Sequence, residues 1–383
     1  MKIAMVGTRG VPARYGGFET AIEEIGQRLV RDGDEVLVYC RGAEEPITTY
    51  LGMELVHLPA VSAKALETLS HTFLSVMHLI FRRRDIDVAI VFNSANSIFL
   101  PLLRLARIPV AVHVDGLEWK RAKWGRNGRR YYRMAEALSV RWADALISDA
   151  QGIVDYYLDE FGAESEHIAY GAPILKDLGQ AKIEPLGLNK NEYHLVVARF
   201  EPENHVLDIV RGYSQSSASL PLVVVGSAPY ADDYTAQIEA IAAQDERIQL
   251  LGGVWDQEQL DQLYVNTANY LHGHSVGGTN PSLLRAMGAG CHVTALDVSF
   301  NRGVLGEHGR FFADEAAVST AVELVEAEAT RDPSAHAIRG AGLQERAAEV
   351  YQWDAVAAEY HEMAVRLKNR ELARPGHSGK RRT

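Results

Sequence analysis

Residues 272–290 read HGHSVGGTNPSLLRAMGAG, and this stretch decides the fold of the chain. A short apolar run from Ala268 to Leu271 precedes it and predicts a buried strand. Pro281 is pre-set for the first turn of a helix, and Asn280 or Thr279 can cap the free amides there. The stretch therefore predicts a strand, a turn and a helix in direct succession.

The turn contains the glycine pair Gly277 and Gly278. Because glycine has no Cβ, a ligand can approach the backbone closely at this point. A glycine turn that leads into a helix N-terminus is a common site for an anion, most often a phosphate. The same pattern also fits an ordinary connection between a strand and a helix, and a second such loop in the chain favours the binding site.

That second glycine loop follows the first predicted strand, Lys2–Val6. Residues 7–19 read GTRGVPARYGGFE, and an apolar helical periodicity begins behind them. The glycines lack the GxGxxG spacing of dinucleotide-binding proteins, and the next predicted strand ends at Arg41 without an acid for an adenosine ribose. A nicotinamide dehydrogenase is therefore disfavoured.

Length and composition indicate a globular protein with more than one core. A chain of 383 residues favours two domains. No apolar run is long enough to span a bilayer and no signal-peptide core is visible at the start, so a cytoplasmic protein is expected. Cys40 and Cys291 lie in or beside predicted strands and are expected to act as small hydrophobes, with no disulfide or zinc site.

Short β-like runs alternate with helical patterns along the whole chain, which predicts an α/β protein of two doubly wound, Rossmann-like domains. Residues 1–172 and 193–350 are expected to form these domains, with residues 173–192 as a linker. Residues 351–370 are expected to form a closing helix, and residues 371–383 a disordered basic tail. Because ligands bind beyond the carboxyl ends of parallel strands, the two glycine loops are expected to face a cleft between the domains.

A cluster of cations and aromatic rings lies after the predicted strand Val110–His113. Between Trp119 and Arg133 the chain has seven cations and no anion, although its net charge is −11. Such a cluster suits an anionic surface, and the acidic remainder of the chain disfavours nucleic acid. A solvated loop is the alternative. The residues expected to face an anionic membrane surface are Trp119, Lys120, Arg121, Lys123 and Trp124.

Four separated motifs carry a resemblance to a known family. They are GTRGVPARYGGFE at 7–19, HVDGLEWKR at 113–121, ARFEPEN at 198–204 and HSVGGTNPSLL at 274–284. In this order the chain resembles retaining glycosyltransferases of family 4, which have the two-domain GT-B fold. It is most similar to the branch described as rhamnosyltransferases of polysaccharide assembly.

The resemblance implies a peripheral membrane enzyme of cell-surface glycan synthesis that needs neither metal nor cofactor. Its donor would be a nucleoside diphosphate sugar such as dTDP-rhamnose, and its acceptor a lipid-linked glycan or polysaccharide. Charge grows on the departing phosphate in such a transfer, and amides at residues 278–282 together with the Arg199 cation suit its stabilisation.

The resemblance also implies roles for individual residues. His113 would face the transferred sugar and Arg199 would clamp the diphosphate, and these two are the expected catalytic residues. The expected donor-binding residues are Gly16, Gly17, Arg199, His274, Gly277, Gly278, Thr279, Asn280 and Arg285. The expected acceptor-binding residues are Arg14, Tyr15, Asn93, Asn96, Asp115 and Glu118. A buried core histidine at 113, and a pairing of Arg199 with Glu201 or Glu203, are the structural alternatives.

The chain departs from the family pattern at three positions. Asn204 stands where a lysine is usual, while Gly277 and Arg285 stand where the family has a pair of glutamates. The later glutamate holds ribose hydroxyls, whereas arginine has donors only. A second hypothesis is therefore a non-catalytic sugar-nucleotide or glycan-binding protein. A sugar-nucleotide epimerase is a third, which the basic aromatic cluster disfavours.

Two pairs of acids have the DxD spacing of metal-dependent transferases. They are Asp32 with Asp34 and Asp85 with Asp87. Both pairs precede predicted strands rather than follow them, so they are expected to be solvated loop acids. The sequence therefore predicts no metal site.

Overall fold

The computed structural model describes residues 1–13, 16–42, 47–61, 66–114, 116–121, 124–176, 178–227 and 232–375. The chain divides into two compact α/β units. The first combines Met1–Tyr170 with the C-terminal segment that begins at Trp353, and the second comprises Gly171–Gln352. Within the described part of the chain, no helix has both the length and the apolar character that crossing a membrane requires.

Each unit is built on a parallel sheet. The strands of the first unit are β1 (Lys2–Val6), β2 (Glu35–Arg41), β3 (Thr49–Tyr50), β4 (Met53–Leu58), β5 (Val88–Phe92), β6 (Val110–Val114), β7 (Ala145–Ser148) and β8 (Glu166–His167). Their order in the sheet is β3-β4-β2-β1-β5-β6-β7-β8. All neighbours pair in parallel except β3 with β4.

The second sheet has six parallel strands. They are β9 (His194–Val197), β10 (Leu222–Val225), β11 (Ile248–Gly252), β12 (Asn269–His272), β13 (Val293–Leu296) and β14 (Arg310–Phe312). Their order is β11-β10-β9-β12-β13-β14. The apolar strands of both sheets are almost entirely buried, as expected where helices cover both faces of a parallel sheet.

The helices connect these strands. They are α1 (Gly17–Arg31), α2 (Glu67–Phe81), α3 (Leu100–Leu105), α4 (Arg126–Trp142), α5 (Gln151–Phe161), α6 (Val206–Ser214), α7 (Asp232–Ala242), α8 (Gln257–Val265), α9 (Pro281–Gly288), α10 (Ser299–Leu305), α11 (Glu315–Arg331), α12 (Pro333–Val350) and α13 (Trp353–Lys368). Right-handed crossovers place α1 on one face of the first sheet and α2, α3 and α4 on the other. The helix α13 packs against α1 and β5.

The strand order determines where a ligand can bind in each unit. In the first sheet β1 lies between β2 and β5, and in the second β9 lies between β10 and β12. The winding direction reverses at these strands, which opens a crevice beyond their carboxyl ends. The loops at these crevices follow β1 and β5 in the first unit, and β9 and β12 in the second.

The predicted α/β class with two doubly wound units is confirmed, and three details differ. The segment expected to be a linker, residues 173–192, is packed into the second unit, where Ile183 and Leu188 are buried. The closing helix α13 belongs to the first unit rather than standing apart. The short strands β3 and β14 were not expected, because runs of two and three residues are too short to show a periodicity.

Candidate functional site

Three loops of the second unit converge at the carboxyl edge of its sheet. A Cβ atom on Gly273 would lie 2.3 Å from the carbonyl oxygen of Asn204, so the loops after β9 and β12 touch through bare backbone. A Cβ atom on Gly226, which has a φ of 151°, would lie 1.8 Å from the carbonyl oxygen of Ala198. Glycine is required at both positions because any side chain would push the loops apart.

Arg199, Asn204 and His274 are joined where two of these loops meet. The Asn204 amide nitrogen donates to the Arg199 carbonyl oxygen at 2.8 Å. Its amide oxygen therefore accepts from His274 Nδ1 at 2.7 Å. This arrangement gives a neutral His274 ring a proton-free Nε2. Asn204 thus links the two predicted donor residues.

The Arg199 side chain is 38% exposed and lies 3.4 Å from the Glu201 carboxylate. The pairing with Glu201 that the sequence left open is therefore present. The alternative partner, Glu203, is buried instead, and within the described part of the chain neither of its carboxylate oxygens has a hydrogen-bond partner. No local pattern predicts that Glu203 is buried, because its burial depends on the convergence of loops from separate strands.

The glycine turn and the helix behind it have the predicted form. Gly277 has a φ of 118°, which favours glycine, and Thr279 is buried. Asn280 is the N-cap of α9, its side-chain oxygen accepts from the Ser282 amide at 2.9 Å, and Pro281 takes the first helical position. The predicted helix start and the Asn280 cap are confirmed, which leaves a helix N-terminus beside His274.

Arg285 is held within the second unit. Its guanidinium forms an ion pair with Asp261 on the neighbouring helix α8, and both side chains are largely buried. The resemblance predicts a donor-binding role for Arg285, and the structure gives it a carboxylate partner within the same unit. Because a guanidinium has five N–H donors, this ion pair through Nη1 and a contact to the donor are compatible.

In the first unit, two carboxylates of α1 hold the loop after β1. Glu19 accepts from the Arg9 amide at 3.0 Å, and Glu23 accepts from the Ala13 amide at 2.6 Å. Gly16 has a φ of 102°, and a Cβ atom there would lie 2.4 Å from the Glu19 carboxylate. Gly16 and Gly17 therefore lie at the N-terminus of α1 as predicted, next to a carboxylate of its first turn.

His113 is the penultimate residue of β6 and is fully buried. Aromatic rings surround it, with centroids 5.1 Å away for Phe18, 5.4 Å for Phe92 and 5.6 Å for Tyr170. Its Nδ1 lies 3.0 Å from the Tyr360 hydroxyl on α13, and within the described residues its Nε2 has no hydrogen-bond partner. Burial lowers the pKa of His113 to about 3, so the ring is neutral near pH 7.

The surroundings of His113 have features of both predicted roles, the buried core histidine and the residue that faces the transferred sugar. The ring is buried like a core histidine, yet it lies directly beside Phe18, the residue that follows the glycine pair of the loop after β1. Tyr360 orients the ring from the far end of the chain, and no local pattern could have revealed that contact.

The predicted acceptor residues have internal partners. Asn93 caps the 3-10 helix Ser94–Phe99 by accepting from the Ala95 amide. Asn96 is fully buried and donates to the carbonyl oxygens of Gly7 and Phe92 at 3.2 and 2.8 Å. Contrary to the expectation of a surface contact, Asn96 thus ties the loops after β1 and β5 together. The expected acceptor residues Arg14, Tyr15 and Asp115 lie outside the described residues.

The cluster expected to face a membrane is largely turned inward. Glu118 is buried, forms an ion pair with Arg121 at 2.9 Å and accepts from the Trp124 indole at 3.0 Å. Trp119 is half-buried beneath the Arg133 guanidinium, 5.0 Å from its centroid, and Lys120 is exposed. Lys123 lies outside the described residues. This geometry corrects the expectation of an exposed patch at Trp119, Arg121 and Trp124, and it gives Glu118 internal partners.

The DxD pairs also differ from their prediction. Asp34 is buried, 2.9 Å from the amino group of Met1 and 2.6 Å from His361 Nδ1. Asp87 accepts from the Lys2 amide at 2.9 Å and pairs with Lys368. Asp34 and Asp87 are therefore structural ion-pair partners, whereas Asp32 and Asp85 are exposed as predicted. Among the described residues, no group of three or more histidine, cysteine or acidic side chains could hold a metal ion.

Known proteins resemble this chain mainly in fold. The family model of a domain of unknown function, DUF1972, matches residues 1–173. No curated protein matches the chain.

Solved structures align over both units. Sucrose-phosphate synthase from Thermosynechococcus elongatus aligns with a TM-score of 0.81 at 19% identity, over 96% of this chain and 98% of its own. HepE from Anabaena in complex with UDP aligns with a TM-score of 0.76 at 15% identity, over 95% of this chain and 100% of its own. A glycosyltransferase from Rickettsia africae aligns with a TM-score of 0.71 at 11% identity, over 96% and 98%. The chain therefore has the GT-B fold of glycosyltransferases.

Proposed function

We propose that this protein is a glycosyltransferase that uses a nucleoside diphosphate sugar. One observation carries the proposal: Asn204 joins the Arg199 backbone to His274, and His274 lies in the same loop as the glycine turn that leads into α9. A guanidinium, an imidazole and a glycine turn before a helix together suit a diphosphate. The structural similarity to HepE, which was solved with UDP and with UDP-glucose, supports this choice of ligand.

The proposed chemistry is displacement of the nucleoside diphosphate at the anomeric carbon. Negative charge grows on the leaving phosphate, and Arg199 with the amides at the start of α9 would stabilise it. His113 would act in the first unit as a neutral ring that Tyr360 orients. Retention of anomeric configuration and independence of metal are part of the proposal on the strength of the family 4 motifs.

We propose L-rhamnose from dTDP-rhamnose as the sugar and a lipid-linked glycan or polysaccharide as the acceptor. The support is the resemblance of residues 7–19, 113–121, 198–204 and 274–284 to the rhamnosyltransferase branch. With an acceptor of this kind, the enzyme would work on the cytoplasmic side of a membrane and attach to it peripherally.

Calorimetric titration with dTDP, UDP and GDP tests the donor proposal. Wild-type protein is expected to bind one nucleoside diphosphate preferentially, and Arg199→Ala to lose roughly tenfold or more in affinity, because a charge-assisted contact to phosphate disappears. The matched control is Arg331→Ala, an exposed arginine at the end of α11 in the same unit. Absence of binding to all three nucleotides, or equal affinities of the two variants, would contradict the proposal.

A second candidate function is a non-catalytic sugar-nucleotide or glycan-binding protein. The ion pair between Arg285 and Asp261 favours this second function. It holds a cation at the position where related enzymes bind the ribose with a carboxylate. Transfer and donor hydrolysis distinguish the two functions. Turnover in the wild type that disappears in His113→Ala excludes the binding-only function, whereas tight donor binding without turnover supports it.

The double variant Asp261→Arg/Arg285→Glu examines the same point with the ion pair retained. It exchanges the two charges and places a carboxylate at position 285. If the native arginine reflects lost activity, the exchange should raise turnover, and if the native pair is part of a working donor site, the exchange should lower it. Arg285→Glu alone would leave two acids together, so the double variant is the cleaner comparison.

A further inference from the structure

The helix α2 has apolar side chains on its outer side as well as on its inner side. Val76 and Leu79 are fully buried, together with His71, Thr72 and Ser75. Phe81, in contrast, is 84% exposed and Phe73 is 42% exposed. An ordinary surface helix has its apolar stripe toward the core and charged or polar residues on the opposite face.

The outward apolar side chains form one continuous strip. At about 100° per residue, they cover an arc of about 120° on the helix, and the buried residues occupy the opposite side. We call this strip the outer α2 face. Its members are the exposed Phe73, Leu74 and Phe81 and the half-buried Met77 and Ile80.

Neighbouring elements extend the outer α2 face. The ring of Phe73 contacts that of Phe99, with centroids 5.8 Å apart, at the end of the 3-10 helix after β5. Ile98 is exposed beside it, and Leu105 at the end of α3 is 82% exposed. Single exposed apolar residues are common, but a cluster of large ones spread over α2 and α3 marks an interaction surface.

Cations border this surface. Arg83 and Arg84 lie just beyond the end of α2, and Arg107 lies just beyond α3; all three are exposed, and none forms an ion pair with the described residues. Arg129 and Arg130 on α4 are exposed as well, and the acids nearest in sequence are Glu67 at the start of α2 and Asp85 after Arg84. Apolar rings surrounded by arginines match a surface that is apolar inside and anionic at its edge, which is the profile of an anionic lipid bilayer.

We propose that the outer α2 face, together with Leu105 and the arginines Arg83, Arg84 and Arg107, docks the first unit on an anionic membrane. The phenyl rings and leucines enter the boundary between headgroups and acyl chains, and the guanidinium groups bind lipid phosphates. This surface replaces the inward-turned cluster of residues 119–124 as the membrane contact. The proposal does not depend on the transferase function, since it concerns the first unit without donor or acceptor.

Co-sedimentation of the full chain with lipid vesicles tests the proposal. Wild-type protein is expected to bind vesicles of phosphatidylcholine with phosphatidylglycerol, and to bind pure phosphatidylcholine weakly. Phe73→Ser/Phe81→Ser should reduce the partition coefficient roughly tenfold or more, because apolar contact with the acyl chains is lost. Arg83→Gln/Arg84→Gln should reduce it about fivefold for each charge, and added salt should mask this difference.

Two matched variants make the result specific. Trp255→Ser removes an equally exposed ring, 74% accessible, from the second unit, and Lys120→Gln neutralises the exposed cation of the earlier cluster. Both should bind vesicles as the wild type does. All of these side chains are at least partly exposed, so far-UV circular dichroism and the midpoint of thermal unfolding should remain close to those of the wild type and exclude misfolding.

The proposal is overturned if the wild type ignores anionic vesicles, or if the α2 variants bind them as well as the wild type. Light scattering after size exclusion adds a third decisive outcome. A dimer that Phe73→Ser/Phe81→Ser dissociates, without any vesicle binding, would assign the outer α2 face to a second copy of the chain. Loss of vesicle binding in Lys120→Gln alone would return the contact to the cluster at residues 119–124.

Discussion

The hydrogen-bond partner of His113 lies 247 positions further along the chain. Tyr360 on α13 lies 3.0 Å from its Nδ1, while Phe18, Phe92 and Tyr170 exclude water from the ring. The pairing of Arg285 with Asp261 is a comparable case, in which a single contact changes the meaning of a residue that the motif made prominent. At this scale, a residue's type indicates what it can do, and its partner decides what it does.

Tyr360→Phe removes the hydroxyl partner of His113 and leaves the aromatic packing intact. The free energy of unfolding should fall by about 1 kcal/mol, as for an ordinary buried hydrogen bond. If His113 acts in transfer, kcat should also fall by roughly tenfold with little change in donor KM, because the ring is no longer oriented. Chemical denaturation and steady-state kinetics measure the two effects.

Tyr39→Phe is the matched control for this variant. Tyr39 makes the same kind of contact with His78 Nδ1, at 2.9 Å, in the same unit. A similar loss of stability without a change in kcat is expected. If both variants change kcat equally, the Tyr360 hydroxyl has no role beyond stability.

The loops after β9, β10 and β12 approach one another closely because their glycines have no Cβ atom. Gly226 and Gly273 let two backbones touch, and that contact positions Arg199, Asn204 and His274. The sequence predicted the glycine turn and the start of α9, because strand, glycine and capping signals are local. It did not predict that Asn204 would join the loops, because that contact is between separate βα units.

Gly226→Ala should destabilise the second unit by roughly 2–4 kcal/mol, because the new methyl group meets a carbonyl oxygen and the backbone is unsuited to an L side chain. Denaturant unfolding measures the change. Gly303→Ala in α10, where an added Cβ meets open space, is the control, and it should stabilise the unit by about 0.5–1 kcal/mol. Equal effects of the two substitutions would show that crowding at Gly226 is unimportant.

For the whole molecule, α13 completes the first unit after the chain has passed through the second. Asp354 pairs with Arg28 at 2.8 Å, His361 with Asp34 at 2.6 Å and Arg366 with Glu166 at 3.1 Å. These ion pairs and the buried side chain of Tyr360 hold α13 against α1 and the sheet. Without α13, the face of the first unit that carries α1 would therefore lose part of its cover.

A chain that ends after Gln352 is expected to lose the fold of its first unit. Removal of α13 uncovers α1 and His113 and leaves Asp34 without one of its partners. Limited proteolysis and near-UV circular dichroism should show the loss, while a chain that ends after Pro375 should behave as the full protein does. Retention of a protease-resistant first unit in the shorter chain would contradict this prediction.

Acid should destabilise the first unit through two buried histidines. Burial lowers the pKa of His71 to about 4 and that of His113 to about 3, below the ordinary histidine value near 6.5. Below pH 6.5 the unfolded chain therefore binds protons at these two histidines, whereas the folded chain does not. Each histidine should therefore remove about 1.4 kcal/mol per pH unit as the pH falls from 6.5 toward its folded pKa.

The variant His71→Gln measures one of these two contributions. Gln can still donate to the Cys40 carbonyl oxygen, which His71 Nε2 contacts at 2.9 Å. The dependence of unfolding free energy on pH between about 6.5 and 4 should become shallower, because the contribution of His71 to the slope is removed. An unchanged slope would mean that His71 becomes protonated in the folded state without cost.

The sequence by itself determined the elements and their succession. The strand Lys2–Val6 has the predicted bounds, and α9 begins at Pro281 behind its Asn280 cap. These features follow from apolar runs, periodicity and capping, which act over a few residues. The tertiary structure decided the partners of His113 and Arg285 and the outward turn of the apolar face of α2, because contacts between distant segments leave no local pattern in the chain.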